Sequence, residues 1–241
     1  MKTYPVSAVI AQGYAFSFRG SVKRVRNLIA IYRLKTGPRK SGRRPVPETD
    51  ILRAAVVLLH AAVEDLLRNV ACYSIGENSA PAVLDRIPLL DTNSGHEPRK
   101  FLLGALAPHA SKTVKALIEA SVSAHYRSSV TFNSPGDIVR LLQDCNLDPK
   151  QVKKELPVLV EMTQRRHRIV HYGDKDPRYQ HATGFGDRDN RGYQVAKPLS
   201  VDNVERWSRA TERFARKVLD LMSSGEFSKC FKVSQRQDSD D

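Results

Sequence analysis

The chain has 241 residues, with 39 lysines and arginines against 26 aspartates and glutamates, a formal net charge of +13. That length builds one sizeable core without disulfides or a structural metal. No run approaches the roughly 18–20 uncharged apolar residues of a membrane span. Cys72, Cys145 and Cys230 lie far apart, which excludes a fully paired disulfide framework and an all-cysteine zinc site and fits a reducing cytoplasm. The positive charge favours a polyanionic partner, nucleic acid first.

Residues 1–16 carry one lysine and a weak apolar stretch broken by Gln12 and Gly13, and do not read as a secretion signal. Val22, Val25, Leu28, Ile29 and Tyr32 recur at helical spacing and predict a first helix over 21–34. Residues 35–48 hold Gly37, Pro38, Gly42, Pro45 and Pro47 and read as neither helix nor central strand. This arm carries Lys35, Arg39, Lys40, Arg43 and Arg44 with no acid before Glu48. It suits a solvated linker that also grips phosphates.

A second helix is expected over 50–73, with Thr49 as its N-cap. Ile51, Leu52, Val56, Leu59, Val63, Leu66, Leu67 and Val70 form its apolar face. Arg53, His60, Glu64 and Arg68 line up opposite, and a solvated face is the favoured reading of that row over a partner or a cleft. Residues 76–108 read as loops and short turns. Helix resumes over 111–126, and Ser134-Pro135 opens another with Asp137 in its first turn. A longer helix starts near Pro149 or Pro157 and runs to Tyr172, with Gly173 placed for a left-handed C-terminal residue. Residues 174–200 form a long polar, glycine-rich loop with a small hairpin expected near 193–199. A last helix over 201–222 follows Ser200 as cap. The expected fold is all-α, an antiparallel helical bundle with long loops. Its parts are an N-terminal helix with a basic arm (1–48), a helical domain (49–224) and a polar, acidic tail expected to be disordered (225–241).

The segment most suited to chemistry ends the long helix. On a wheel of 100° steps, Leu159, Met162, Ile169 and Val170 define an apolar stripe with Arg166 in its middle. Arg165, Arg168 and Glu161 fall on the opposite, solvent side. An arginine on an apolar stripe needs a carboxylate, an anionic ligand or a cleft. A salt bridge to Glu64 or Asp65 and an anion site both satisfy it. His167 and His171 stand one turn apart at the stripe's edge. Metal-free RNA cleavage needs a base for the 2′-hydroxyl, an acid for the departing 5′-oxygen and a cation on the phosphate. Histidine, which as a residue type titrates near neutrality, supplies the first two, and arginine the third. The two histidines also have zinc-protease spacing. However, Arg168 stands where that motif needs a glutamate, and only His181 offers a third ligand, so no metal is expected.

Arg166-His167-Arg168-Ile169-Val170-His171 resembles the signature of the HEPN superfamily. The stretch 52–68 and Phe132-Asn133-Ser134-Pro135 resemble its RiboL-PSP branch. The resemblance spans about residues 49–222. It implies a helical bundle that dimerises to pair two Arg–His motifs, and a metal-independent endoribonuclease of a toxin–antitoxin, phage-defence or RNA-processing system. On that reading Arg166 stabilises the scissile phosphate, His171 is the acid/base and His167 supports the site. Glu64 and His60 contribute from the second helix, and Arg165 and Arg168 join the basic arm in holding RNA. No cofactor is implied; a homodimer, RNA and an antitoxin or regulatory partner are. Two alternatives stay open: a non-catalytic RNA- or nucleotide-binding module with Arg166 as phosphate clamp, and a regulatory or scaffold protein with Arg166 in a salt bridge.

Overall fold

The computed structural model describes residues 5–37, 46–78, 80–90, 103–174 and 197–224. Among them are seven α-helices and no strand: α1 Val6–Thr36, α2 Val46–Asn78, α3 Pro81–Leu84, α4 Val114–Ser128, α5 Pro135–Asp144, α6 Leu156–Tyr172 and α7 Val201–Met222. Short 3-10 turns at Leu103–His109 and Pro149–Val152 join them. The fold is all-α. No helix among the described residues is long and apolar enough to cross a membrane.

The long helix α2 is central and packs against α1, α4, α5, α6 and α7. Its predicted apolar face holds: Leu52, Val56, Leu59, Val63, Leu66, Leu67 and Val70 are buried, and Ile51 packs against them. The ion pairs Arg26–Glu212 and Arg33–Glu205 run α1 antiparallel to α7. Lys217–Glu155 and Arg206–Glu161 do the same for α7 and α6.

Three differences from the sequence reading bear on the site. First, α1 begins at Val6, fifteen residues before the expected start at 21, because Ala8, Ala11, Ala15 and Phe18 extend its buried face through a glycine-broken stretch. The three alanines let α1 lie close on α2, and α1 shares one core with the rest of the chain. Second, α2 begins at Val46, so residue 48 lies within its first turn. Thr49 is not the cap but a buried residue whose hydroxyl accepts from Arg53 Nη1 at 2.6 Å. Third, the polar row of α2 is not solvated: Arg53, His60 and Glu64 are buried, because α6 and the residues before α5 cover that side.

The caps follow the sequence. Ser134 and Asp137 close a full capping box on α5, with Pro135 in the first turn. The Ser200 hydroxyl accepts from the Asn203 amide at the start of α7. Gly173 ends α6 at φ 60°, ψ 24°, the left-handed region. Of the expected hairpin, 193–196 lie outside the described residues and 197–199 form no strand. The tail 225–241 with Cys230 also lies outside them.

Candidate active site at the end of helix α6

The end of α6 is fixed by charge. After Gly173, Asp174 continues in the left-handed region at φ 56° and is fully buried. Its Oδ2 accepts from Arg53 Nε at 2.8 Å and from Arg165 Nη2 at 2.6 Å. The Lys197 carbonyl accepts from both guanidiniums, and the Lys197 amide donates to the Asp174 carbonyl at 2.8 Å. One buried carboxylate thus ties together α2, α6 and the point where the chain rejoins α6 before α7. Burial pushes the Arg165 guanidinium down from its ordinary value, opposed by Asp174.

This corrects the wheel. Arg165, placed on the solvent side as an RNA contact, is 6% exposed and committed to an internal ion pair. The expected stripe joins Leu159 and Met162 to Ile169 and Val170. In the structure the buried face of α6 is Leu159, Met162, Thr163 and Arg165, while Val170 is half exposed. The packing of α6 between α2 and α7 selects that face. Arg53 and Asp174 are structural partners that the wheel on α6 alone missed. An aspartate directly after a glycine stop, with an unclaimed arginine on the neighbouring helix, was the available signal.

Arg166 is then turned to the side of α6, half-buried, with no hydrogen-bond or ion-pair partner among the described residues. Of the two alternatives for Arg166, the bridge to Glu64 or Asp65 is not formed. Instead Arg166 lies close enough to His60 to act on its charge. His60 is buried, its Nδ1 3.9 Å from Glu64 Oε2, and Arg68 Nη2 approaches the same oxygen at 3.6 Å. Burial first of all pushes the His60 ring down from its ordinary value; Glu64 opposes this, and Arg166 and Arg68 add to it. The structure therefore buries His60 and Glu64 together, with the charge of Arg166 near enough to act on the His60 ring.

His167 and His171 are both exposed, with ring centroids 4.5 Å apart and planes tilted by 42°. The exposed Tyr172 ring meets His167 edge-on at 5.7 Å. Arg168 is half-buried and, like Arg166, has no acid partner among the described residues, whereas Glu161 is held by Arg206. The end of α6 therefore presents two imidazoles, two uncommitted guanidiniums and an aromatic ring to solvent. Such a surface attracts a phosphate, stacks a base and can move protons. Of the basic arm, Lys35 is exposed at the end of α1, while Arg39, Lys40, Arg43 and Arg44 lie outside the described residues. His181 also lies outside them, and among the described residues no three of His, Cys, Asp and Glu gather as metal ligands.

Comparison with family models, with curated proteins and with solved structures finds no match. The chemistry of the residues is left to argue for function.

Proposed function

We propose that this chain is a metal-independent endoribonuclease acting at the exposed end of α6. The observation that carries the reading is the His167–His171 pair, with ring centroids 4.5 Å apart and open to solvent, on the same helical turns as an Arg166 that has no acid partner among the described residues. The HEPN-like segment 166–171 and the net charge of +13 support it.

In this reading the 2′-oxygen attacks phosphorus and the bond to the 5′-oxygen breaks, leaving a 2′,3′-cyclic phosphate and a 5′-hydroxyl. His171 is the acid/base, and His167 beside it serves the second proton transfer. Arg166 holds the non-bridging phosphate oxygens, whose charge grows in the transition state. Arg168 and Tyr172 bind the neighbouring phosphate and base.

The test is cleavage of mixed RNA by purified protein in excess EDTA, beside His171→Ala and Arg166→Ala. Cutting by the wild type with cyclic phosphate ends is expected, and each variant is expected to lose at least about a hundredfold, the usual scale of one acid–base or charge-stabilising group. Cutting that survives both substitutions, or a folded wild type that binds RNA without cutting it, sinks the proposal.

A further inference from the structure

Nine large apolar side chains stand exposed among the described residues, and five of them are on α1: Val6, Val9, Phe16, Ile31 and Leu34. Phe16 is 75% exposed and Leu34 86%. On a wheel of 100° steps the five fall within a sector of about 80°. That sector lies opposite Ala11, Val22 and Ile29, which are buried in the core. α1 is therefore apolar twice over, once toward the core and once toward solvent. Single exposed apolar residues are ordinary on a protein surface; five on one line of one helix mark an interaction face.

The charge of the helix is one-sided. α1 carries six cations and no acid. Arg26 and Arg33 pair with Glu212 and Glu205 of α7. Arg19 and Lys23 stand beside the apolar sector on the side of those pairs, and Arg24 and Lys35 stand at its other edge; all four are exposed. At 1.5 Å per residue the 31-residue helix is about 46 Å long. Its outward apolar side chains thus run along one line between two rows of positive charge.

Three occupants compete for such a face. A second copy of the chain would bring like charges together, with no acid on either helix to answer them. A nucleic-acid strand suits the cations, but its bases stack on aromatic rings, and four of the five outward side chains are aliphatic. An anionic bilayer surface takes both features at once. Apolar side chains sink to the boundary of headgroup and acyl chain, and lysine and arginine reach the lipid phosphates.

We propose that α1 lies along an anionic membrane surface, with Val6, Val9, Phe16, Ile31 and Leu34 inserted and the exposed cations beside them on the headgroups. The contact is peripheral. No helix among the described residues is long and apolar enough to cross a membrane, and the inner face of α1 stays packed on α2 and α7. The proposal goes beyond the ribonuclease reading and does not depend on it.

The test is sedimentation of the full chain with phosphatidylcholine vesicles and with vesicles that hold about one third phosphatidylserine. Binding at least about tenfold tighter to the anionic vesicles is expected. A chain of net charge +13 also adsorbs by charge alone, so insertion is read separately. Phe16→Asp with Leu34→Asp changes two exposed residues and is expected to weaken anionic binding at least about tenfold with the helical circular dichroism kept. Lys150→Gln with Lys153→Gln removes the same net charge from exposed positions before α6 and is expected to weaken it less than about threefold. Phe16→Trp is expected to shift its emission to the blue on anionic vesicles and to be quenched by brominated lipid, against the background of the buried Trp207. No vesicle binding, equal binding to both vesicles, equal losses in the two double variants, or an unshifted and unquenched Phe16→Trp would overturn the proposal. A dimer that Phe16→Asp dissolves, or RNA binding that it abolishes, found in place of vesicle binding, would give the face to a second copy or to nucleic acid and overturn it as well.

Discussion

At Asp174 a single carboxylate oxygen accepts from two buried guanidiniums, while Oδ1 has no partner among the described residues. Asp50 also faces Arg53 Nη1 at 3.1 Å, but from an exposed side chain, so Asp174 is the buried carboxylate the two guanidiniums can least spare. Asn tolerates the left-handed backbone and keeps the side-chain shape, which makes Asp174→Asn a test of charge alone. Removing one partner of a buried ion pair costs about 3–5 kcal/mol. A loss in that range is expected in urea unfolding. A loss below about 1 kcal/mol, the worth of a surface pair, would mean the arginines find solvent instead. The same cluster shows where sequence reasoning stops at this scale. The chemistry of 166–171 is visible as a pattern, but which of two adjacent arginines is buried depends on where Arg53 sits, on a helix more than a hundred residues away. A wheel drawn on α6 holds no information about that.

Helices α5, α6 and α7 are legible because their ends are decided locally. Ser134 with Asp137, Gly173 and Ser200 each satisfy the backbone within a few residues, and the structure uses each as the sequence suggests. The first half of α1 is illegible for the opposite reason. Gly13 and Gly20 break its pattern, its buried residues are mostly alanines, and its exposed face carries Val6, Val9 and Phe16. Only the presence of α2 decides which side is inside. The left-handed stop after Tyr172 gives a direct test of local logic. At Gly173 a Cβ meets nothing within 4 Å, so Gly173→Ala adds backbone strain without a clash. A loss of about 1–2 kcal/mol is expected. The end of α6 carries His171, so chemical-shift changes in the variant should centre on residues 167–174. A variant as stable as the wild type would mean the helix end rearranges at no cost.

Across the whole molecule, histidine burial makes stability depend on pH. His60 is 2% exposed and its ring is pushed below the ordinary 6.5, by burial first, with Glu64 opposing and Arg166 and Arg68 adding. In the unfolded chain the ring regains that ordinary value. Between the two, the unfolded chain binds more protons than the native one, so the native state is favoured as pH rises. The contribution is complete above pH 6.5 and lost as pH falls below it, at a slope of at most about 1.4 kcal/mol per pH unit for each such group. His125 acts in the same direction, since burial lowers it too. Urea midpoints are therefore expected to be level near pH 7–8 and to fall as pH drops below about 6.5. His60→Gln, which hydrogen-bonds without titrating, should flatten part of that fall. An identical acid slope in the variant would mean that His60 reaches solvent when protonated, and that the polar row of α2 opens rather than stays buried.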